Sequence, residues 1–333
     1  MVKETVLSGI RPTGFLHLGN YFGAMRNYVS MQNNYNCYFF VADWHSLTTH
    51  PDTQFLKQSV NRVIAENIAC GLNIDVACLY VQSDVPEIAE LYLLLNMLAY
   101  KGELEKTTTF KEKIKLHNQN INVGLLTYPV LQAADILIHR ATKVPVGKDQ
   151  EQNLEMARTF ATRFNHRYGE CFPEPHAFNY GSNLVKILSL DGNGKMSKSE
   201  NENATIYLSD DAETVIKKIA KAKTDAGPQT ENAAKPDYIE NLFTLMQLCS
   251  PAETLDFFST AWNNKTIRYG DFKKQLGADL ATWLSPIRQQ ATDIQHNETL
   301  LKNIRAKGAA KAQESAKETI KIVRSLMGLS VNN

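Results

Sequence analysis

The sequence predicts an α/β protein in which a doubly wound parallel sheet is followed by a mainly helical second domain. Through the first 190 residues, short apolar runs alternate with segments whose apolar residues recur at helical spacing. This alternation is typical of a parallel sheet that helices cover on both faces. From about residue 206 the helical pattern continues without strand-like alternation. Ligands of such a sheet are expected beyond the carboxyl ends of its strands.

Short apolar runs bounded by polar or turn-forming residues predict the strands. They are Thr5–Ile10, Cys37–Ala42, Cys78–Val81, Val144–Val146 and Leu184–Leu188. Helical spacing, glycine stops and proline starts predict the helices between them. These helices run from Phe55 to Ile68 with a stop at Gly71, from Pro86 through Leu98, from just after Tyr128-Pro129, and from Gln150 to Tyr168 with an end at Gly169.

The C-terminal helices are predicted at 210–223, 238–249, 252–263, 271–295 and 298–327. We expect residues 1–190 to form the α/β domain, completed by the helix 298–327. Residues 191–205 are a loop and linker, and 206–297 form the helical domain. The last helix carries more basic than acidic residues, which fits either a solvated face or contact with phosphates.

Composition excludes several classes of protein. The chain has 333 residues and a formal net charge of +1, so any nucleic-acid partner must find a local basic surface. Its five cysteines are scattered without C-x-x-C spacing, which supports neither a zinc ribbon nor an iron–sulfur site and is typical of a reducing compartment. No signal-peptide pattern or membrane-spanning apolar run is present, so a cytoplasmic location is expected.

Residues 190–200 have the composition of a loop and contain the pentapeptide Lys-Met-Ser-Lys-Ser. Gly192 and Gly194 precede Lys195, and Lys198 follows three residues later. Two mobile ammonium groups on such a loop can approach a polyphosphate and stabilise the charge that develops as a phosphate leaves. A lone Lys-x-x-Lys pair also fits a solvated surface loop, so the interpretation needs a partner motif.

A candidate partner motif follows the first strand. Pro12 and Gly14 predict a turn, and His17-x-Gly19-Asn20 opens the next helix. Such a turn offers backbone donors and a positive helix end to phosphate, and Gly19 lets a ring approach the backbone. The glycine spacing is not that of a G-x-G-x-x-G dinucleotide fingerprint. An ordinary strand–turn–helix connection with a surface histidine fits the same residues.

Tyr128, Gln132 and Asp135 share one face of a predicted helix, by steps of four and three residues. Asp135 lies among alanine, isoleucine and leucine, and a buried carboxylate is costly unless a donor meets it. The indole N–H or phenol O–H of a ligand would serve, as would a salt bridge or a helix N-terminal turn within the protein. The segment 144–150 predicts a second ligand-facing turn.

Together, the lysine pentapeptide and the His-x-Gly-Asn turn resemble the two signatures of the class I aminoacyl-tRNA synthetases. Asn20 stands where the general first signature has a second histidine, as is common in the tryptophanyl branch. Four further segments resemble bacterial members of that branch in order and spacing: Asp43-Trp44-His45-Ser46, residues 102–113, residues 128–137 and residues 144–150. The resemblance covers nearly the whole chain and is weakest between about 225 and 300. It implies a Rossmann-type sheet, a helical anticodon-binding domain and a homodimer.

The resemblance also implies the reaction and its residues. The enzyme would join L-tryptophan to ATP, release pyrophosphate, and transfer tryptophan to the terminal ribose of tRNA(Trp), with Mg²⁺ bound through the ATP phosphates rather than by protein ligands. Lys195, Lys198 and His17 would be catalytic. ATP contacts would be Arg11, Pro12, Thr13, Gly19, Asn20, Gly147, Lys148, Asp149, Leu188, Lys195, Met196, Ser197, Lys198 and Ser199. Tryptophan contacts would be Asp135, Tyr128, Gln150, Leu7, Gly9, His45, Gln132, Val144 and Val146.

Three alternatives stay open on the residues alone. A tyrosyl-tRNA synthetase has the same fold and signatures, and Gln132 fits its Tyr-x-x-x-Gln-x-x-Asp pattern, although segment 146–150 with Glu155 and Arg158 looks tryptophanyl. A small-molecule nucleotidyltransferase would leave the long helical region after the lysine loop unexplained. A non-catalytic paralogue that binds tryptophan or RNA would be expected to have lost some of Lys195, Lys198, His17 and Asp135, which are all present.

Overall fold

The computed structural model describes residues 3–50, 52–108, 110–111, 114, 121–147, 150–178, 185–197 and 201–330. Its sheet has the strand order β3-β2-β1-β4-β5, and every neighbouring pair is parallel. The strands are β1 (Thr5–Ile10), β2 (Asn36–Val41), β3 (Cys78–Val81), β4 (Lys143–Val144) and β5 (His176–Ala177). The strand order reverses between β1 and β4, where open α/β sheets bind ligands. The predicted doubly wound sheet with many helices is confirmed.

Helices cover both faces of the sheet. The described helices of this part are α1 (Leu18–Asn20), α2 (Arg26–Met31), α3 (Asp43–Leu47), α4 (Leu56–Ala69), α5 (Pro86–Asn96), α6 (Lys101–Leu104), α7 (Val123–Ile138) and α8 (Glu151–Tyr168). A π-helical turn, Tyr21–Met25, joins α1 to α2, and a 3₁₀ turn, Gln82–Asp84, follows β3. The later part contains α9 (Ala212–Ala220), α10 (Asp237–Cys249), α11 (Ala252–Asn263), α12 (Tyr269–His296) and α13 (Glu298–Leu326), with a 3₁₀ turn at Glu202–Ala204. None of the described helices is long and apolar enough to cross a membrane.

The predicted fifth strand, Leu184–Leu188, is wrong for its described residues. Residues 185–188 join no sheet, and Leu188 instead makes an isolated antiparallel bridge with Lys195. The apolar side chains of Val185 and Ile187 pack into an apolar cluster made mainly by residues 206–297, the helical part of the chain. This packing explains the apolar pattern of the segment. The actual edge strand, β5, is two exposed residues long and has too little apolar pattern to be recognised.

The helix predicted to start after Tyr128-Pro129 starts earlier, at Val123. The Asn122 side chain caps it by accepting a hydrogen bond from the backbone N–H of Leu125, at 2.9 Å. Pro129 therefore lies inside the helix, where it removes one backbone hydrogen bond. The helix continues because its interior face is almost wholly buried against α5 and α8, so packing offsets the missing bond.

The last helix, α13, packs on the sheet-bearing part of the chain, against β3, α5 and α7. Its approach to β3 is closest at Gly308, where an added Cβ would lie 1.8 Å from the carbonyl oxygen of Leu79. The Cys78 thiol donates to the Gly308 carbonyl across the same contact, at 3.4 Å. Gly308 is therefore required by close backbone approach rather than by an unusual backbone conformation.

Much of the basic excess of α13 is used in this docking. Arg305 binds Asp84 through Nη2 at 2.7 Å and Nε at 3.1 Å, and Arg324 binds Glu90 at 2.6 Å. Lys307 pairs with Asp75, and Lys311 donates to the Val76 carbonyl. Such partly exposed pairs add little to stability, typically below about 1 kcal/mol each. They fix the register of the helix, and they weaken the view that these four side chains serve phosphates.

We expect Gly308→Ala to destabilise the protein strongly. Relieving the overlap with the Leu79 carbonyl requires β3 or α13 to shift, and overpacking of this kind costs about 1–3 kcal/mol or more. Gly270→Ala is the matched control, because Gly270 also lies in a helix but has open space around its added Cβ. That control should be neutral or slightly stabilising. Urea unfolding followed by circular dichroism compares the two variants, and equal midpoints would refute the close approach.

Candidate active site

The carboxyl ends of β1, β2 and β4 converge on two adjoining cavities. The smaller has a volume of about 370 Å³ and the larger about 760 Å³. Both are in the range of small-molecule sites. Gly9, Arg11, Val146 and Gly147 are among the residues that line both cavities, so they form a shared wall. A ligand in one cavity can therefore meet a ligand in the other at this wall.

Every residue predicted to bind tryptophan lines the smaller cavity. These residues come from five elements or their ends and are Leu7, Gly9, His45, Tyr128, Gln132, Asp135, Val144, Val146 and Gln150. Gly9 makes room for an aromatic wall, because a Cβ there would lie 2.5 Å from Cζ of Phe40. Much of the cavity lining is apolar, and its polar groups include His45, Gln132 and Asp135.

Asp135 is the most deeply buried polar group of this cavity, with 0% of its surface exposed. Its Oδ2 accepts from Nε2 of His45 at 2.8 Å, and Nε2 of Gln82 donates to both carboxylate oxygens at 2.8 and 3.0 Å. Burial raises the pKa of Asp135, and the bonds from His45 and Gln82 work in the opposite direction. The donor that the buried carboxylate needs is therefore supplied within the protein. Oδ1, which receives only the Gln82 bond, retains a lone pair for one more donor.

Gln82 was not predicted from the sequence. It is fully buried in the turn after β3, and its partner Asp135 is 53 residues away. The neighbouring Ser83 donates its N–H and its hydroxyl to the two carboxylate oxygens of Asp43, at 3.1 and 2.5 Å. This pair ties the end of β3 to the end of β2, where His45 lies. The sequence signal that could have identified Gln82 is its position directly after a buried parallel strand, where ligand-binding residues lie.

A second unpredicted residue, Asn153, connects the two sides of the cavity mouth. Its side chain is fully buried, accepts from the Tyr128 hydroxyl at 3.2 Å, and donates to Oε1 of Gln150 at 2.8 Å. Tyr128 and Gln150 are therefore held in fixed orientations rather than left to rotate. Asn153 is one turn into α8, where only its burial distinguishes it from a surface asparagine.

The larger cavity is lined by residues of both sequence signatures. Of the predicted ATP contacts, those in its lining are Arg11, Thr13, Gly19, Asn20, Gly147, Lys195, Met196 and Ser197, together with the predicted catalytic His17. Pro12 and Leu188 are outside the lining. Pro12 is buried, and Leu188 belongs to the stem of the lysine loop. Lys148, Asp149, Lys198 and Ser199 lie outside the described residues.

The first signature forms a tight turn into α1. Leu16 and Leu18 are fully buried, so the His17 between them is held close to the core with 5% exposure. The backbone N–H of His17 donates to Oδ1 of Asn20 at 3.1 Å, and the Asn20 N–H returns to the His17 carbonyl at 2.8 Å. Asn20 therefore closes the turn, which gives it a structural part besides any ligand contact.

The lysine loop meets this turn at Gly19. A Cβ on Gly19 would lie 2.9 Å from Nδ1 of His17 and 3.4 Å from the carbonyl oxygen of Met196. Met196 is buried in the apolar cluster of the helical part, and Lys195 beside it is exposed at the cavity. Burial of the methionine therefore anchors the loop and leaves the preceding lysine free to reach a ligand.

Arg11 is the cation of the shared wall. Its Nη2 donates to the Thr49 hydroxyl at 2.6 Å, and burial lowers its pKa. Among the described residues, no carboxylate is within ion-pair distance of its guanidinium. A half-buried arginine without an acidic partner is suited to an anionic ligand.

A further cavity of about 700 Å³ lies beyond the amino ends of the strands, near Thr5 and Asn36. Its lining mixes Arg140 and Lys311 with Glu170, Glu314 and Glu318, so it presents no dominant charge to a ligand. Ligands of parallel sheets bind at the opposite edge. The paired cavities at the carboxyl ends are the better candidate active site.

Comparison with known proteins identifies close relatives. The profile of the family described as tRNA synthetases class I (W and Y) matches residues 2–285. The tryptophan–tRNA ligase of Porphyromonas gingivalis is 56% identical over 326 residues, which cover 98% of this chain and 99% of that protein. The tryptophan–tRNA ligase of Caldanaerobacter subterraneus is 40% identical over 330 residues, 98% of each chain.

Solved structures agree with these relatives. The tryptophanyl-tRNA synthetase of Campylobacter jejuni, complexed with ADP and tryptophan, superposes with a TM-score of 0.88 at 31% identity, over 98% of this chain and 100% of that one. The tyrosyl-tRNA synthetase of Aeropyrum pernix reaches a TM-score of 0.64 at 16% identity, over 92% of this chain and 89% of that one. At that identity the likeness to the tyrosyl enzyme shows a shared fold and not a shared substrate.

Proposed function

The chain belongs to the family of class I tRNA synthetases for tryptophan and tyrosine, and from that membership we propose that it is an ATP-dependent ligase of tryptophan and tRNA. In the first step it joins L-tryptophan to ATP as tryptophanyl-adenylate and releases pyrophosphate. In the second it transfers tryptophan to the 3′-terminal ribose of tRNA(Trp), in the cytoplasm. The observation that carries the proposal is the pair of adjoining cavities, one that holds the buried Asp135 among largely apolar residues and one lined by both signatures.

We assign the two substrates to the two cavities by the residues that line them. Tryptophan occupies the smaller cavity, with its indole among the apolar residues and its carboxylate at the shared wall. ATP occupies the larger, with its α-phosphate at the same wall and its β- and γ-phosphates toward Lys195. A carboxylate oxygen of tryptophan then attacks the α-phosphorus, and the bond from that phosphorus to the departing pyrophosphate breaks. The reaction needs no nucleophile from the protein, so catalysis rests on positioning and charge stabilisation.

Each charged group has a distinct part in this step. Arg11 contacts the anionic groups that meet at the shared wall. Lys195, Lys198 and His17 stabilise the charge that collects on the departing pyrophosphate, and Mg²⁺ bound through the ATP phosphates would share this charge. Asn20 and Gly19 keep the first turn close to the nucleotide. Because negative charge collects on the pyrophosphate only as its bond to the α-phosphorus breaks, these contacts strengthen as the transition state forms.

Preference for tryptophan over tyrosine follows from the lone pairs left on Asp135. An indole N–H only donates, and the remaining lone pair of Oδ1 accepts it. A phenol both donates and accepts, and would need a donor in addition, for which Gln132 is one candidate in the lining. The tryptophan–tRNA ligases among the relatives favour the indole assignment. Gln132 then lies beside the ring without a required bond to it.

Exchange of labelled pyrophosphate into ATP tests the proposal. Exchange should require tryptophan, and tyrosine should support it far less. Faster exchange with tyrosine would identify a tyrosyl enzyme, and no exchange with either would identify a non-catalytic relative. Formation of tryptophanyl-tRNA from a purified tRNA pool then tests the second step.

We further propose that the helical part, residues 206–297, contacts the anticodon region of tRNA, while α13 completes the α/β domain.

We also propose that the enzyme is a homodimer. The support is an exposed apolar surface formed by Leu93, Met97, Tyr100, Ile121 and Val123, which are between 52% and 74% exposed. The bond between the Tyr92 hydroxyl and Thr127, at 2.7 Å, brings α5 next to the start of α7, and these helices carry Leu93 and Val123. Contiguous apolar patches of this kind mark interaction surfaces.

The homodimer can be tested by sedimentation velocity. The parent protein should sediment as a dimer at micromolar concentration. Leu93→Glu combined with Met97→Glu should sediment as a monomer, because the carboxylates would have to be buried in the interface. Phe257→Glu is the matched control, since Phe257 is 67% exposed but lies on α11, away from this surface. A monomeric parent would contradict the proposal.

A further inference from the structure

The stem of the lysine loop is held by one side chain of the helical part, Asn241 of α10. Oδ1 of Asn241 accepts from the backbone N–H of Leu188 at 2.8 Å, and its Nδ2 donates to the Leu188 carbonyl at 3.2 Å. Asn241 is buried, with 5% of its surface exposed. One amide thus satisfies both backbone groups of a single residue, as a neighbouring strand would.

Leu188 and Lys195 face each other across a short hairpin. The two form an antiparallel bridge, the Met196 N–H donates to the Ile187 carbonyl at 3.0 Å, and the Ser189 N–H donates to the Gly194 carbonyl at 3.2 Å. Backbone hydrogen bonds of this kind transmit position from one arm to the other. A displacement of Leu188 is therefore passed directly to Lys195.

The same face of α10 supports the tip of the hairpin. Tyr238 lies one turn before Asn241, and a Cβ on Gly192 would be 3.1 Å from Cβ of Tyr238. The Lys223 N–H, just after α9, donates to the Leu190 carbonyl at 2.8 Å. The helical part therefore contacts the hairpin at its stem and its tip, and the signature turn approaches the hairpin near Met196.

We propose that Asn241 is a positioning residue that places Lys195 for the activation step, and so couples the helical part to the catalytic site. The proposal rests on the proposed function, because it gives Lys195 its part in pyrophosphate release. Asn241 itself contacts no substrate in this scheme. Loss of its two hydrogen bonds frees the stem, and Lys195 then samples positions in which it does not meet the departing pyrophosphate.

A double-mutant cycle in the exchange assay tests this proposal. Asn241→Ala should lower kcat for tryptophan-dependent exchange at least tenfold, with the KM for tryptophan within about twofold of the parent. In a Lys195→Ala background the same substitution should lower kcat less than threefold, because the residue it positions is already absent. Asn241→Ser keeps a neutral hydroxyl that can bond one of the two Leu188 backbone groups, so a smaller loss is expected. It serves for the cycle if the alanine variant does not fold.

Trp262→Phe is the matched control. Trp262 is buried in the same helical part, donates from Nε1 to the Ala233 carbonyl at 2.7 Å, and has ring contacts with Lys235 and Phe243. It should lower the unfolding temperature and leave kcat within about twofold. Equal losses of kcat in the control, or independent losses for Asn241 and Lys195, would refute the positioning role. Absence of tryptophan-dependent exchange in the parent would instead reject the proposed function.

Discussion

Replacing Lys195 by alanine is expected to slow tryptophan activation by about 30- to 1,000-fold, which corresponds to roughly 2–4 kcal/mol. Lys195 is exposed at the larger cavity, and the buried Met196 next to it fixes the backbone from which its side chain extends. Its ammonium group meets charge that is fully developed only as pyrophosphate leaves. The loss should therefore fall on kcat, with the KM for tryptophan nearly unchanged.

Pyrophosphate exchange and single-turnover formation of the adenylate measure this effect. Lys217→Ala is the control, because Lys217 is an exposed lysine of α9 outside both cavities. It should retain the parental rate. Lys195→Arg, which keeps the charge but changes its shape and reach, should recover only part of the lost activity. If Lys195→Ala activates tryptophan at nearly the parental rate, the loop has no part in the chemistry.

Local pattern was sufficient for the strands that begin the sheet. β1 and β3 coincide with their predicted apolar runs, and β2 differs by one residue at each end. β2 and β3 are almost wholly buried, so their sequences are almost continuously apolar, and β1 is buried at Val6, Leu7 and Ser8. The sequence did not predict β5, because its two exposed residues form a strand only by pairing with β4. That pairing leaves no local pattern in the sequence.

The polar network of the site was predicted only in part. Asp135 was found because a carboxylate in an apolar helix face is conspicuous in the sequence. Gln82, Asn153 and Asn241 were missed because each is an ordinary amide whose burial and partners depend on distant segments. The bonds from Gln82 to Asp135 and from Asn241 to Leu188 each span 53 residues. Sequence pattern therefore identifies a polar residue that stands among apolar sequence neighbours, such as Asp135. It misses polar residues, such as Gln82, whose burial arises only from tertiary contacts.

The structure also changes what removal of Asp135 should do. Asp135→Ala takes away the proposed acceptor of the indole N–H, which should cost roughly 1.5–3 kcal/mol in tryptophan recognition. It also leaves His45 and Gln82 without their acceptor. Each unsatisfied buried donor costs about 1–3 kcal/mol of stability, so a lower unfolding midpoint is expected as well. Gln132→Met, in the same cavity lining, is the control and should be tolerated.

A modified substrate separates the two effects without changing the protein. Tryptophan methylated on the indole nitrogen lacks the donor and should support almost no exchange in the parent enzyme. With Asp135→Asn, whose amide keeps the size of the side chain, the preference for tryptophan over the methylated form should shrink. Equal use of both substrates by the parent would show that no bond to the indole nitrogen selects the substrate.

The pH dependence of tryptophan use provides the final test of Asp135. Burial raises its pKa, so as the pH falls the carboxylate should gain a proton at a higher pH than an exposed aspartate does. Protonation removes an acceptor, and the KM for tryptophan should therefore rise on the acidic side in the parent but not in Asp135→Asn. The folded state binds this proton more tightly than the unfolded chain, so this group alone favours folding at low pH and disfavours it as the pH rises through its folded pKa. An acidic rise in KM that persists in Asp135→Asn would assign the titration to another group.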